Sequence, residues 1–249
     1  QFELLSNRNK KPDLQHLIFS GNPGTGKTSV ARLIGKIYRS LGLLRKGHCV
    51  EVSRADLVAG YVGQTAILTT EKIKEAFGGV LFIDEAYALS RTQGLGSDFG
   101  QEAIDTLVKG MEDYRNRFLI IAAGYPPEMS TFLSSNPGLK SRFGYTLNFP
   151  DYSVDELLLI LERLAESEQY EISPAAMQEA GEQIVRMAAY HPQGFGNGRF
   201  VRNLFEQIKN NYAMRALQEN KKNGDLSYFS PPFNIDTVDI PLTETRPLE

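Results

Sequence analysis

Residues 21–28 read Gly-Asn-Pro-Gly-Thr-Gly-Lys-Thr, a G-x-x-x-x-G-K-[ST] run, and no other feature of the chain restricts its fold as strongly. Such a run functions only where a strand delivers it and a helix receives it. Both flanks are legible: Leu14 to Ser20 is a short apolar strand segment, and Val30, Leu33, Ile34 and Ile37 recur at helical spacing. Glycines let the backbone curl so that N–H groups face a phosphate, and the helix N-terminus adds partial positive charge. The loop residues Asn22, Pro23, Gly24, Thr25 and Gly26, with Lys27, Thr28 and Ser29, are therefore candidate phosphate contacts. Lys27 suits the β/γ-phosphates and the Thr28 hydroxyl suits Mg²⁺. Average residue usage gives a chance match on the order of 10⁻⁵ to 10⁻⁴ per position, so a plain glycine turn is the weaker reading.

Val80-Leu-Phe-Ile-Asp-Glu85 supplies a second half. Four apolar residues of a buried strand deliver two carboxylates at its C-terminal end, where ligands bind in open α/β sheets. Asp84 suits a Mg²⁺ shell, and Glu85 suits orienting or deprotonating an attacking water. Further strand segments are His48 to Val52, Phe118 to Ala123 and Thr146 to Phe149. Strands interleaved with helical patterns mean a parallel sheet flanked by helices.

Past Pro150 the pattern turns helical. Ser153 with Glu156 forms a capping box ahead of Val154, Leu157, Leu158 and Leu161. Ser173-Pro174 opens a second helix carrying Met177, Ala180, Ile184 and Met187, closed by Pro192. A third, from about Gly198 to Gln218, carries Val201, Leu204, Phe205, Ile208 and Tyr212 on one face. The expected organisation is an α/β nucleotide-binding domain over 1–150, a small helical lid over 151–220, and a tail over 221–249 with one short strand within Phe233 to Ile240.

Composition excludes several classes. Lys and Arg total 27 against 30 Asp and Glu, a net charge of -3, which argues against a strongly cationic nucleic-acid binder. Apolar runs such as Phe118 to Ala123 fall far short of the roughly 20 residues that span a bilayer. A single cysteine, Cys49, forms no intrachain disulfide and requires no oxidising compartment, so a cytoplasmic location is expected. His16, His48 and His191 lack metal-ligand spacing. Arg45-Lys46 and the Arg115/Arg117 pair read as solvated charge.

Taken with the helical segment behind them, the two motifs resemble an AAA+ ATPase. The phrases Ala55-Asp-Leu-Val-Ala-Gly-Tyr-Val-Gly-Gln-Thr-Ala66, Gly78 to Tyr87, Phe99 to Leu107 and Asn136-Pro-Gly-Leu-Lys-Ser-Arg-Phe143 are similar to the CbbX/CfxQ and stage V sporulation protein K group. The resemblance spans about His16 to Leu217 and implies ring-shaped remodelling ATPases, hexameric, that act on a protein client with ATP and Mg²⁺. It implies an arginine-finger role for Arg142 and a sensor 2 role for Arg199, with Arg202 the alternative. It also implies that Gly60-Tyr61-Val62-Gly63 is a pore loop in which Tyr61 and Val62 grip a polypeptide. At the sensor 1 position, where Asn or Thr is usual, this chain has Tyr125, a phenol that can still bond a water or phosphate. The segment that helps hold adenine is reduced to Gln1 to Asp13, so the chain reads as a module trimmed at its N-terminal edge. Two rival functions stay open: a nucleic-acid motor or loader, and a nucleotide-gated scaffold with vestigial turnover. The glycine-rich stretch Arg91 to Gly100 marks mobility near the active site.

Overall fold

The computed structural model describes residues 13–61, 63–91, 99–190, 195–223, 228 and 230–241. The chain divides into two compact units, one of residues up to Gly21 together with Gly26–Phe149, the other of Asn22–Thr25 with the chain from Pro150 on.

The first unit is a five-stranded, wholly parallel sheet. In chain order it contains β1 (His16–Gly21), α1 (Lys27–Ser40), β2 (Cys49–Val52), α2 (Arg54–Leu57), α3 (Gln64–Glu75), β3 (Val80–Ile83), α4 (Phe99–Asp113), β4 (Leu119–Gly124), α5 (Pro126–Ser134), α6 (Pro137–Arg142) and β5 (Phe143–Phe149). The spatial order is β2-β3-β4-β1-β5. Register is set by pairs such as Leu17 with Ile121, Phe82 with Ile121 and Val50 with Leu81. β1, β3 and β4 are buried along their whole length. This is why they read as continuous apolar runs without alternation. One face packs Leu57, Ile73, Ile104, Met129, Phe132 and Leu139 from α2 through α6. The other packs Ala31 of α1 over Leu17, Phe19, Val80, Phe82 and Ile121. The parallel sheet flanked by helices is the architecture expected from sequence. β5 begins three residues before the expected Thr146.

Leu33 and Ile37 point outward from α1, while Ala31 and Gly35 are buried. Gly35 is the reason: a Cβ there would lie 2.6 Å from the Gly47 carbonyl oxygen. The missing side chain lets the helix approach the chain before β2 and turns the smaller residues inward.

The second unit is helical. It contains α7 (Val154–Ser167), β6 (Tyr170–Ile172), α8 (Pro174–Tyr190), α9 (Gly198–Asn223) and β7 (Phe233–Ile235), followed by a 3₁₀ turn at Thr237–Asp239. The capping box forms as expected: Ser153 Oγ accepts from Glu156 N at 3.2 Å, and Glu156 Oε2 accepts from Ser153 N at 2.8 Å. Ser173 Oγ accepts from Ala176 N at 3.2 Å at the start of α8. Pro192 and His191 lie outside the described residues. The five apolar residues expected on the core face of α9 are all buried.

The packing does not stop at residue 220. β7 pairs in parallel with β6, which sequence reading missed, and Ile235 and Ile240 enter the same core as Leu161 and Phe205. Arg215 on α9 donates from Nε to Asp239 Oδ1 at 2.8 Å, with Asp239 only 1% exposed. Residues 230–241 of the segment expected as a tail thus pack into the helical unit. Among the described residues no helix is long and apolar enough to cross a membrane.

Candidate nucleotide site

In the first unit the site residues gather at one edge of the sheet. β1 ends at Gly21, β4 at Gly124 and β3 at Ile83, and β4 lies between the other two. The exits of β1 and β3 are thus two strand spacings apart, about 10 Å, with Tyr125 leaving β4 between them. α1 opens directly after Gly26, whose φ of 89° needs a residue without a Cβ. Lys27 Nζ donates to the Gly21 carbonyl at 2.9 Å, so the ammonium lies over its own loop.

Asp84 and Glu85 are both exposed. Asp84 N donates to Val52 O at 2.8 Å, and Asp84 Oδ1 accepts from Glu85 N at 3.0 Å. Glu85 has φ 47° and ψ 44°, left-handed for a residue with a side chain. That conformation costs on the order of 1 kcal/mol or more, and such residues cluster at functional sites. Glu85 also starts the 3₁₀ helix Ala86–Ser90, accepting from Ala88 N at 2.8 Å. Tyr125 packs against Tyr87, ring centroids 5.8 Å apart. Burial, then the Glu85 charge, then Tyr125 push the Tyr87 phenol up to about 12. Tyr87 stays protonated and braces the motif without titrating.

In the second unit the loop tip, Asn22–Thr25, is held by a polar hub that sequence reading missed. Asn197 is 0% exposed at φ 48°. Its Nδ2 donates to Asp151 Oδ1 at 2.8 Å, Phe195 O at 3.2 Å and Pro23 O at 3.3 Å, while its Oδ1 accepts from Tyr152 N at 3.0 Å. Asp151 also accepts twice from Asn22 Nδ2 at 3.0 Å, and the Tyr152 hydroxyl donates to Thr25 O at 3.2 Å. Gly198 N donates to Gly24 O at 3.1 Å. A Cβ on Gly24 would collide with the Gly196 carbonyl and come within 2.9 Å of Arg199 N. Arg199, exposed at the start of α9, therefore begins directly beside the loop tip, while Arg202 lies one turn on and is also exposed. The one available signal for Asn197 was its place between Gly196 and Gly198, since asparagine tolerates the left-handed region better than most residues.

Two family models match the chain: the ATPase family associated with various cellular activities over residues 17–151, and an AAA lid domain over residues 153–241. The chain belongs to the AAA+ ATPases. It is 47% identical over 230 residues to stage V sporulation protein K of Bacillus subtilis, covering 92% of this chain and 69% of that protein. It is 44% identical over 202 residues to the chloroplastic ribulose bisphosphate carboxylase/oxygenase activase of Cyanidioschyzon merolae, covering 81% and 68%. Across the CfxQ, CbbX and activase relatives the chain spans 63% to 70% of their length. In fold it is similar to the FIGL-1 AAA domain in complex with ADP, with a TM-score of 0.56 at 18% identity, covering 91% of this chain and 69% of that one. The group suggested by the sequence phrases is the group that the comparisons return.

In this AAA+ ATPase, Arg142 is the last residue of α6. Its Nη2 donates to Glu112 Oε2 on α4 at 3.0 Å and its Nη1 to Gly138 O at 3.3 Å, leaving the side chain 28% exposed. Arg142, then Arg115, holds the Glu112 carboxyl below the usual range. Beneath them His16 is buried and accepts from Ile120 N at Nδ1, 3.0 Å. Burial, then the Arg142 charge, lowers its pKa to about 4.

Tyr61 is 74% exposed, so it does not pack into its own unit. Val62 lies outside the described residues, as do residues 92–98 of the glycine-rich stretch. Arg117 stacks on Phe77, 4.2 Å from the ring centroid. Arg115 pairs with Glu112, which accounts for two of the basic residues set aside from nucleic-acid contact. Burial raises the Cys49 thiol to about 11, the direction that suppresses reactivity. Among the described residues no cluster of three or more His, Cys, Asp or Glu is arranged around a metal. A nucleotide-borne Mg²⁺ needs only one or two protein oxygens. The Thr28 hydroxyl and the exposed Asp84 carboxylate are hard oxygen donors of that type, so the donor set fits.

Proposed function

We propose that this chain is one subunit of a ring, six copies in the full assembly, that binds ATP with Mg²⁺ and couples its hydrolysis to remodelling or threading a protein client. The observation that carries the reading is the meeting of Lys27, Thr28, Asp84 and Glu85 at one edge of one sheet, with both carboxylates exposed. Two acids, not one, favour turnover over nucleotide storage.

In this reading the backbone of Asn22 to Gly26 and the side chains of Thr28 and Ser29 cradle the phosphates, and Lys27 neutralises β/γ-phosphate charge. Mg²⁺, when bound, would be held by Thr28 and Asp84 and would neutralise phosphate oxygens. Glu85 accepts a proton from the water that attacks the γ-phosphorus as the bond to the ADP oxygen breaks. Arg142 completes a neighbouring subunit's site. Arg199 reports nucleotide state from its place beside Gly24, and Tyr125 bonds water or phosphate through its hydroxyl. Tyr61, with Val62, contacts the client through a ring that is apolar and tolerant of sequence. Similarity to an activase whose partner is itself an enzyme supports a protein client, and the net charge of -3 gives no support to nucleic acid. We place the protein in the cytoplasm, where ATP is abundant.

Light scattering tests the assembly directly. The wild type with ATP is expected at the mass of six subunits, and Lys27→Ala under the same conditions at a smaller mass. A wild type that binds ATP and remains monomeric at every concentration overturns the ring.

A further inference from the structure

The exposed loop bearing Tyr61 has a base that is pinned in unusual detail. α2 ends at Leu57, and the Leu57 carbonyl accepts from Thr69 Oγ1 at 2.9 Å. Two residues on, Ala59 N donates to Thr65 Oγ1 at 3.1 Å. Thr65 and Thr69 stand one turn apart on α3, and both are 0% exposed. A buried hydroxyl is retained in such a place only when it is bonded, and here both bonds go to the base of the loop. Tyr61 therefore stands on a short arm whose root moves with α2 and α3.

The other end of α2 reaches the acid motif. Arg54, its first residue, donates from Nη1 to Ala88 O at 2.7 Å and to Leu89 O at 3.3 Å. These are carbonyls of the 3₁₀ helix that Glu85 starts, and the amide of Ala88 already donates to Glu85 O at 2.8 Å. A single residue, Ala88, thus links the Arg54 guanidinium through its carbonyl to the Glu85 carbonyl through its amide. The guanidinium lies in a slot closed by Gly100 at the start of α4, where a Cβ would strike the Leu89 carbonyl and the Arg54 Nη1.

We infer that Arg54 is a positioning residue that ties the Tyr61 loop to the Glu85 motif, so that a shift of the motif on nucleotide exchange is carried through α2 to Tyr61. The inference rests on the reading of Glu85 and Tyr61 given under the proposed function and names the element that connects them. Arginine fits the task because a planar, always charged group fills the slot and its Nη1 bonds two successive carbonyls. A lysine at 54 keeps the charge but replaces the planar fork with a flexible point donor.

The chain contains no tryptophan, so Tyr61→Trp installs a single reporter on the loop. Its emission is measured in the full chain with ADP and with a non-hydrolysable ATP analogue, alone and combined with Arg54→Met or Arg54→Lys. Nucleotide affinity is measured in parallel by displacement of a fluorescent nucleotide. The expected result is a difference between the two nucleotides in the parent that falls at least five-fold in Arg54→Met and partly recovers in Arg54→Lys, while affinity stays within two-fold. An equal response with and without the guanidinium overturns the inference and leaves the proposed function standing. So does an Arg54→Met protein that has lost nucleotide binding, because the residue then serves the site itself. A parent that binds both nucleotides with no difference in emission overturns the inference together with the role given to Tyr61. Should Arg54→Met fail to fold, Thr69→Val cuts the same path at Leu57 and is expected to lower the response in the same way.

Discussion

The acid motif of the first unit and the polar hub of the second hold their side chains in opposite ways. In the first, Asp84 and Glu85 are exposed and held by backbone: one carboxylate bonded to the next amide, and a left-handed φ at Glu85 that aims its side chain. In the second, Asn197 is fully buried, and its amide group makes three donor contacts and one acceptor contact. Exposed acids remain open to substrate, so losing one is expected to cost turnover and little stability. A buried amide does no chemistry, and losing it costs stability because its partners are stranded.

Arg142 sharpens the contrast because it lies between these extremes, partly exposed and tied to Glu112. In the proposed role, a finger acting on a neighbouring subunit, such an arginine is worth ~10³ to 10⁵ in rate. Arg142→Ala is expected to cut ATP turnover by that order with little change in nucleotide affinity. Mixing it with Glu85→Gln subunits, which keep Arg142 and nucleotide binding, should restore part of the activity if the residue acts in trans. No recovery in any mixture would assign Arg142 to its own subunit's structure.

Asn197→Ala tests the buried side of the comparison. It strands Tyr152 N, removes one of the donors to Asp151 and places alanine in a left-handed conformation, so a loss of about 3 kcal/mol in unfolding free energy is expected. Asn197→Gly tolerates the backbone but loses the same bonds and should recover about 1 kcal/mol of that. Denaturant titration separates the two. Equal stability of wild type and Asn197→Ala would remove the hub.

His16 shows that the first unit also contains a buried polar group, one that takes no part in the chemistry. With its pKa lowered to about 4 from an ordinary value near 6.5, the unfolded chain binds a proton that the folded chain refuses. Stability therefore rises with pH between about 4 and 6.5, by about 3 kcal/mol in all. Urea midpoints across that window check it, and His16→Gln should flatten the slope. An unchanged slope in the variant would show that other groups set it.

The parallel sheet was legible because β1, β3 and β4 are buried on both faces and so appear as unbroken apolar runs. Lys27, Thr28, Asp84 and Glu85 could be nominated from sequence because phosphate chemistry constrains residue type and spacing within a few positions of a strand end, and they follow the ends of β1 and β3. β6 was missed because Tyr170–Ile172 is three residues long and finds its partner, Phe233–Ile235, only about sixty positions later. Asn197 and Arg54 were missed for a related reason. Their partners are backbone groups and side chains distant in sequence, and nothing in an isolated asparagine or arginine announces which carbonyl it will meet. Tyr61 and Arg142 took their expected roles from resemblance, and the structure adds what each stands on: two buried threonines in one case, Glu112 in the other.

In the proposed mechanism Glu85 activates water while Lys27 and Thr28 hold the nucleotide without its help. Measuring ATP turnover and ATP affinity side by side for the wild type and Glu85→Gln tests it most directly. The expected result is a fall in turnover of ~10² to 10⁴, the usual worth of a general base, with affinity and thermal midpoint unchanged. Turnover in Glu85→Gln within a few-fold of wild type would contradict it.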